Sequence, residues 1–337
     1  RMSAGYNTLS QFLATMDEGS KTALMKDFIA GLDKGKEDDL EDAVDVADAF
    51  GSIKDSSLAD FLNQQVKVNY ELSFKKKSRK GMYVYALLAT LFEGAKGTND
   101  DSAALAQSAV LHIPPINTVP YKSLLGDTTT VVEQFFFFGD EDGKNSYASF
   151  LGNFKDGKWK ITTEKYWAVI TSTTGKPVVI FANLPIPEPD DEEAQNQLCK
   201  YLADHGIHPT IIVHRGHSYH LPVTLDHLTK ETKIVVLGSC GGYHNLSVVL
   251  DHSPDAHIIS SKQTGAMAVN EPIIKEINDQ LLSGNDIDWI AMWKSLDIYF
   301  DKKKDVKDKF SDYVPPYKNL GAIFIKAYRR IYNSDLN

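Results

Sequence analysis

A chain of 337 residues has room for two or three domains, each burying its own core. With 42 % apolar and 24 % charged residues it has the composition of an ordinary soluble globular protein. Its formal net charge of −9 argues against nucleic acid as a partner, because binding a phosphate backbone needs a concentrated basic surface.

Residues 1–115 carry apolar side chains at helical spacing. Leu9, Phe12 and Leu13 begin the pattern, Leu24, Phe28, Ile29 and Leu32 continue it, and the stretch from Leu58 to Phe92 completes it. Breaks at "GLDKGKEDD" and "GAKGTNDDS" divide this into a helical domain of five or six helices, with Tyr83, Tyr85 and Phe92 in its core. The basic run "KKKSRK", 75–80, reads as a solvated helix face. The best apolar run, "GMYVYALLATLF", falls short of the ~18 residues a membrane helix needs, so no membrane span is expected. The prolines of "HIPPINTVP" then mark a linker.

Residues 116–172 are rich in β-branched and aromatic side chains, in "TTVVEQFFFF", "SYASFLGNF", "KWKIT" and "YWAVITS". With Asp142-Gly143 and Asp156-Gly157 as hairpin signals, this predicts an antiparallel β-meander, separate or joined to the next domain. "QFFFF" must be buried on both faces to avoid aggregation.

Over 173–337 strands and helices alternate, the signature of an α/β domain with a mainly parallel sheet. The strands are "KPVVIFAN", "PTIIVH", "KIVVLGS" and "AHIISS". The helices are "DDEEAQNQLCKYLADHG", a short "NLSVVLDH", and "NEPIIKEINDQLLSG", with Asn270 as cap and Gly284 beyond its end. Cys199, beside Leu198 and Leu202, reads as a small buried hydrophobe. Two cysteines make no disulfide framework.

The chemistry is concentrated in "TIIVHRGHSYHLP" and "KIVVLGSCGGYHN". If these two strands are neighbours, the residues at their carboxyl ends converge on one edge of the sheet, where ligands bind in such folds. Gly238, Gly241 and Gly242 around Cys240 allow close backbone approach and free N–H groups, and the helix starting near Asn245 favours a thiolate. A nearby imidazole can act as base. Three readings stand open on these residues alone: a tight strand-to-helix connection, a nucleophile with its base, or a zinc site using His214, His217 or His220 with Cys240. Nine of the ten histidines lie between 205 and 257, and His205, His208, His227, His252 and His257 read as cap or surface residues. The sequence has no H-E-x-x-H or C-x-x-C pattern, so neither a metal nor another cofactor is expected.

An apolar strand ending in "RGHS", then one ending in "GSCG", then helix, strand and helix resembles the caspase-like cysteine peptidase superfamily over residues 176–300. That family places its histidine after the third strand and its nucleophile after the next. The resemblance implies a caspase-like three-layer sandwich, with His217 as general base and Cys240 as nucleophile. It places Gly216, Ser218, Gly238, Ser239 and Gly241 around the oxyanion or the approaching substrate backbone, and "DAHIISSKQTGAMAVNEP" at the border of the substrate pocket. His214, His220 and Lys262 are candidate pocket residues. Ser218 stands where the family usually has glycine, and the 23 residues from His217 to Cys240 leave little room for a connecting helix. The expected partner is a peptide or protein substrate. The alternative is a non-catalytic scaffold that binds a protein through its helical region. The opening "RMSAGYN" lacks the pattern of a signal peptide, so a cytoplasmic location is expected, although a processed terminus would look the same.

Overall fold

The computed structural model describes residues 15–50, 53, 56–97, 108–187 and 190–334. Leu9, Phe12, Leu13 and most of "GAKGTNDDS" lie outside the described residues. The chain divides into two compact units, one reaching Ile116 and resuming at Tyr317, the other spanning Asn117–Pro316.

In the helical unit, α1 (Glu18–Ile29) starts where the Asp17 carboxylate accepts the Ser20 N–H at 2.9 Å. Helices α2 (Glu41–Phe50), α3 (Ser56–Lys76) and α4 (Arg79–Gly97) follow. Ile29, Ala43, Val66 and Leu88 are in their core, and Phe50 stacks on Phe92 with centroids 3.6 Å apart. The basic run at 75–80 is not simply a solvated face. The chain turns at Lys77 (φ 56°), and Lys80 is buried, its ammonium donating to the carbonyls of Lys34, Lys36 and Asp39 at 2.6–2.8 Å. Three carbonyls offset the cost of burying that charge. The C-terminal helix Leu320–Ser334 (α13 in chain order) also belongs here rather than to the α/β domain. Its Phe324, Ala327 and Tyr328 enter the helical core, and the Tyr328 hydroxyl donates to the Glu37 carbonyl at 3.0 Å.

The second unit begins with β1 (Thr118–Val119), α5 (Tyr121–Leu124), β2 (Val131–Phe137) and α6 (Glu141–Gly152). Next come β3 (Trp159–Thr163), β4 (Trp167–Ser172), β5 (Val178–Asn183), α7 (Asp191–Asp204), β6 (Ile211–Arg215) and α8 (Leu221–Leu225). It continues through β7 (Ile234–Leu237), α9 (Leu246–His252), β8 (His257–Ser261) and α10 (Met267–Ser283). It ends with β9 (Ile287–Asp288), α11 (Trp289–Asp301), α12 (Lys304–Ser311) and β10 (Tyr313–Val314).

The eight-stranded sheet has the order β10-β8-β7-β6-β2-β5-β4-β3, and β1 pairs separately with β9. The five strands from β8 to β5 run parallel, while β10, β4 and β3 are antiparallel to their neighbours. Helices cover both faces. On one face Phe135 and Phe137 meet Phe150 of α6, and Arg215 meets Glu271 of α10. On the other Gln134 meets Cys199 of α7, and His214 meets Thr224 of α8. Among the described residues, no helix is long and apolar enough to cross a membrane.

The segment read as a meander folds differently. β2 is a central parallel strand, and Phe135 to Phe138 are each at most 1 % exposed because helices flank both sides. "SYASFLGNF" is helical. Asp140 caps α6 by accepting the Gly143 N–H at 2.6 Å, so Asp142-Gly143 forms its first turn and not a hairpin. Gly143 is needed there because a Cβ would run into the Phe138 carbonyl. Antiparallel pairing survives in β3 and β4, with the chain reversing at Glu164–Tyr166, and continues from β4 into β5, so a three-strand meander stands at that side of the sheet; Gly157 (φ 80°) belongs to the turn entering β3.

Candidate functional site

The chain adds β5 on one side of β2 and then returns to lay β6 on the other. Open parallel sheets gather ligands outside the carboxyl ends of the strands at such a reversal. The β6–β7 register pairs His214 with Leu237, and His217 and Cys240 each lie three residues beyond that pair. Both are open to solvent, the His217 side chain being 44 % exposed. Adjacent parallel strands thus deliver an imidazole and a thiol to one edge. Among the described residues no hydrogen bond joins the two side chains.

His217 has a partner that the sequence reading missed. Its Nε2 lies 3.0 Å from Oδ2 of Asp142, in the first turn of α6, and its ring stacks on Tyr219 at 5.3 Å. Two residues earlier Asp140, besides capping α6, accepts from the Tyr219 hydroxyl at 3.1 Å and lies 3.2 Å from Nε2 of His220. Partial burial alone would raise the Asp140 pKa, but the bonds from Gly143, Tyr219 and His220 hold it below the ordinary carboxylate value. His220 is also stacked on Phe138 at 4.1 Å. The detectable signal was an Asp followed by two more acids ahead of an aromatic helical pattern, which marks a helix start as well as a turn.

His214 is fully buried. Burial drives its pKa down to about 3, so it is neutral. Its Nε2 donates to the His217 carbonyl at 3.2 Å, which leaves Nδ1 to accept from the Thr224 hydroxyl at 2.7 Å. With both nitrogens engaged, His214 fixes the turn that carries His217 and offers no lone pair to a metal. No group of three or more potential metal-ligating side chains converges among the described residues. His257, read as a cap or surface residue, is buried and accepts from the Trp289 indole at 2.9 Å. His227 stacks on Phe136, and burial lowers its pKa.

The cysteine loop is tightly built. The Gly238 N–H donates to the His214 carbonyl at 3.1 Å, and that of Gly241 (φ 62°) to the Gln263 carbonyl at 2.9 Å. Neither is available to an oxyanion. No hydrogen bond to a described residue engages the Cys240 N–H. Ser239 is buried, its carbonyl accepting from the Ser261 hydroxyl at 2.8 Å. Ser218 opens an exposed 3₁₀ turn, Ser218–His220, and Gly216 packs so closely on the Phe138 ring that no Cβ fits. The Lys262 ammonium lies 5.2 Å from the centroid of the Tyr243 ring, and a Cβ on Gly265 would stand 2.5 Å from the Gly238 carbonyl.

Asn270 is not a helix cap, since α10 already begins at Met267. Its buried amide donates to the Gly238 carbonyl at 2.9 Å and accepts from the Tyr313 hydroxyl at 2.9 Å, tying the cysteine loop to β10. Below the edge, the buried guanidinium of Arg215 reaches Glu271 at 2.6 Å, and Asn153 donates to the other Glu271 oxygen at 2.5 Å. Burial pushes the Glu271 carboxyl up, against the attraction of Arg215. Cys199 is of another kind. Burial raises its thiol to about 11, and Gln134 donates to its sulfur at 3.2 Å.

Fold and site together define an α/β protein with a mostly parallel eight-stranded sheet and a histidine, a carboxylate and a cysteine at its carboxyl edge. No family model, no curated protein and no solved structure matches the chain.

Proposed function

We propose that this protein is a thiol-dependent acyl-transfer hydrolase, a cysteine peptidase of caspase-like fold. The observation carrying the reading is the equivalent placement of His217 and Cys240, each three residues past a register pair on adjacent parallel strands. In chain order β6 is the third parallel strand and β7 the next, which is the order the family resemblance calls for. His217 takes the thiol proton, and the Cys240 sulfur adds to a peptide carbonyl. The Cys240 N–H donates to the resulting oxyanion. As the C–N bond breaks, His217 protonates the departing amine, and water then cleaves the thioester. Asp142 orients the imidazole and stabilises its charged form.

An acyloxymethyl ketone peptide probe tests this. Cys240→Ala abolishes labelling with the fold intact, and His217→Ala slows it by roughly 10²- to 10⁴-fold. If His217→Ala labels at the normal rate, Cys240 is only an accessible thiol and a protein-binding scaffold becomes the better reading. The exposed apolar side chains Leu24 and Phe28 on α1 and Val68 and Leu72 on α3 favour that second reading and are the surface it would use.

A further inference from the structure

The opposite edge of the sheet holds a cavity of about 930 Å³, a size suited to a small organic ligand. It is lined by Thr210, the residue before β6, Lys233, the residue before β7, and by Val132 and Val179, each the second residue of its strand. It therefore opens at the amino ends of the strands, remote along the sheet from His217 and Cys240.

Its floor is apolar. Val132 and Val179 sit side by side in register, on the sheet face that carries α7, yet remain only partly buried where β2 and β5 are otherwise covered. Ile207, just past the end of α7, is partly buried beside them. The walls are fixed before any ligand arrives. The Thr210 hydroxyl donates to the Leu124 carbonyl at 2.8 Å, and that of Thr128 lies 2.9 and 2.8 Å from the carbonyls of Leu125 and Thr130, with one proton to donate between them.

The rim carries Lys122, Lys230 and Lys233; the Lys233 ammonium donates to the Lys230 carbonyl at 3.3 Å, and no salt bridge to the three is found among the described residues. Asp127 and Glu231 also line it, leaving a positive balance, with the imidazoles of His205 and His208 beside them. In a chain of net charge −9, a lysine-rich mouth over an uncovered aliphatic floor is a selective arrangement. We infer that this cavity binds a small amphipathic anion, an aliphatic body of modest length ending in a carboxylate or phosphate. The body covers Val132, Val179 and Ile207, and the anionic end meets Lys230 and Lys233.

The test is calorimetric titration of the intact protein with decanoate, decyl phosphate, decanol and decyltrimethylammonium, each below its aggregation threshold. Decanoate or decyl phosphate is expected to bind one to one, more tightly than decanol, with the cation weakest; the stronger of the two anions identifies the head group. Lys230→Glu/Lys233→Glu, with Lys122→Glu in reserve should the double variant misfold, should weaken the anions by about tenfold or more and leave decanol unchanged. Ile207→Asp should weaken anions and alcohol alike. Absence of saturable anion binding, equal affinity for the cationic chain, or indifference to charge reversal would each overturn the assignment.

Discussion

Glu133 lies in the middle of β2, in register with Ile180 and Ile211, 1 % exposed, and its Oε1 has no hydrogen-bond partner. Burial holds its proton from the usual 4.5 up to about 8. The folded chain therefore binds more protons than the unfolded one across that window, and stability falls as the pH rises from about 4.5 to about 8. At about 1.4 kcal/mol per pH unit, the full loss is on the order of 5 kcal/mol. His214 acts in the opposite sense: held neutral down to about pH 3, it removes stability as the pH falls below 6.5. Glu133→Gln keeps the shape and removes only the ionisation. All four tryptophans, Trp159, Trp167, Trp289 and Trp293, lie in the α/β unit, so urea unfolding followed by tryptophan fluorescence reports on that unit. The variant should match the parent within ~1 kcal/mol at pH 4.5. It should gain steadily above that, reaching a plateau of several kcal/mol beyond pH 8, while the acid limb from His214 persists in both proteins. A difference that stays constant between pH 4.5 and 8.5 would refute an uncompensated buried carboxyl at this position.

Three further outcomes are expected. Asp142→Asn should slow probe labelling by roughly tenfold yet cost under about 1 kcal/mol in a urea melt, because the His217 and Asp142 side chains are 44 % and 67 % exposed; an unchanged rate would remove Asp142 from the site. Iodoacetamide at pH 8 should modify Cys240 alone in the native protein, since Cys199 is held near 11, and peptide mapping with comparable labelling of both would contradict the burial of Cys199. Arg215→Met should cost about 3–5 kcal/mol by stranding Glu271, and adding Glu271→Leu should recover much of it; additive losses in the double variant would mean the pair is not coupled.

What the sequence disclosed depended on whether a residue's neighbours were local. The strands "TIIVH", "KIVVLGS" and "AHIISS" are buried on both faces and bounded by turns, so their continuous apolar character identified them, and Gly206 and Gly284 marked helix ends with φ of 63° and 70°. The stretch after β2 misled because Asp-Gly serves equally in a hairpin and in the first turn of a helix. The choice is made by the Asp140 cap and by Phe150 docking on Phe135 and Phe137, contacts that depend on the folded sheet. His217 and Cys240 stood out as residue types at strand ends. Asp142, 75 residues before His217, did not, because only the β2–β6 pairing brings α6 alongside. Lys80 was hidden for a related reason, since a lysine's preference for water says nothing of three carbonyls arriving from residues 34 to 39.

The path of the backbone through the two units bears on how the chain comes to be folded. The helical core needs Phe324 and Tyr328, yet about 200 residues separate Ile116 from Tyr317. Joining those ends across an unstructured connector costs on the order of 5 kcal/mol of chain entropy. An insert that has already collapsed removes much of that cost by drawing its ends in. Every strand of the α/β sheet has been made by Val314, whereas α13 is made afterwards. The helical core therefore stays incomplete until the chain has passed through the whole α/β unit and supplied Phe324 and Tyr328. A chain cut after Pro316 would keep every strand of the sheet but leave the helical core without Phe324 and Tyr328, exposing apolar surface to chaperones and proteases.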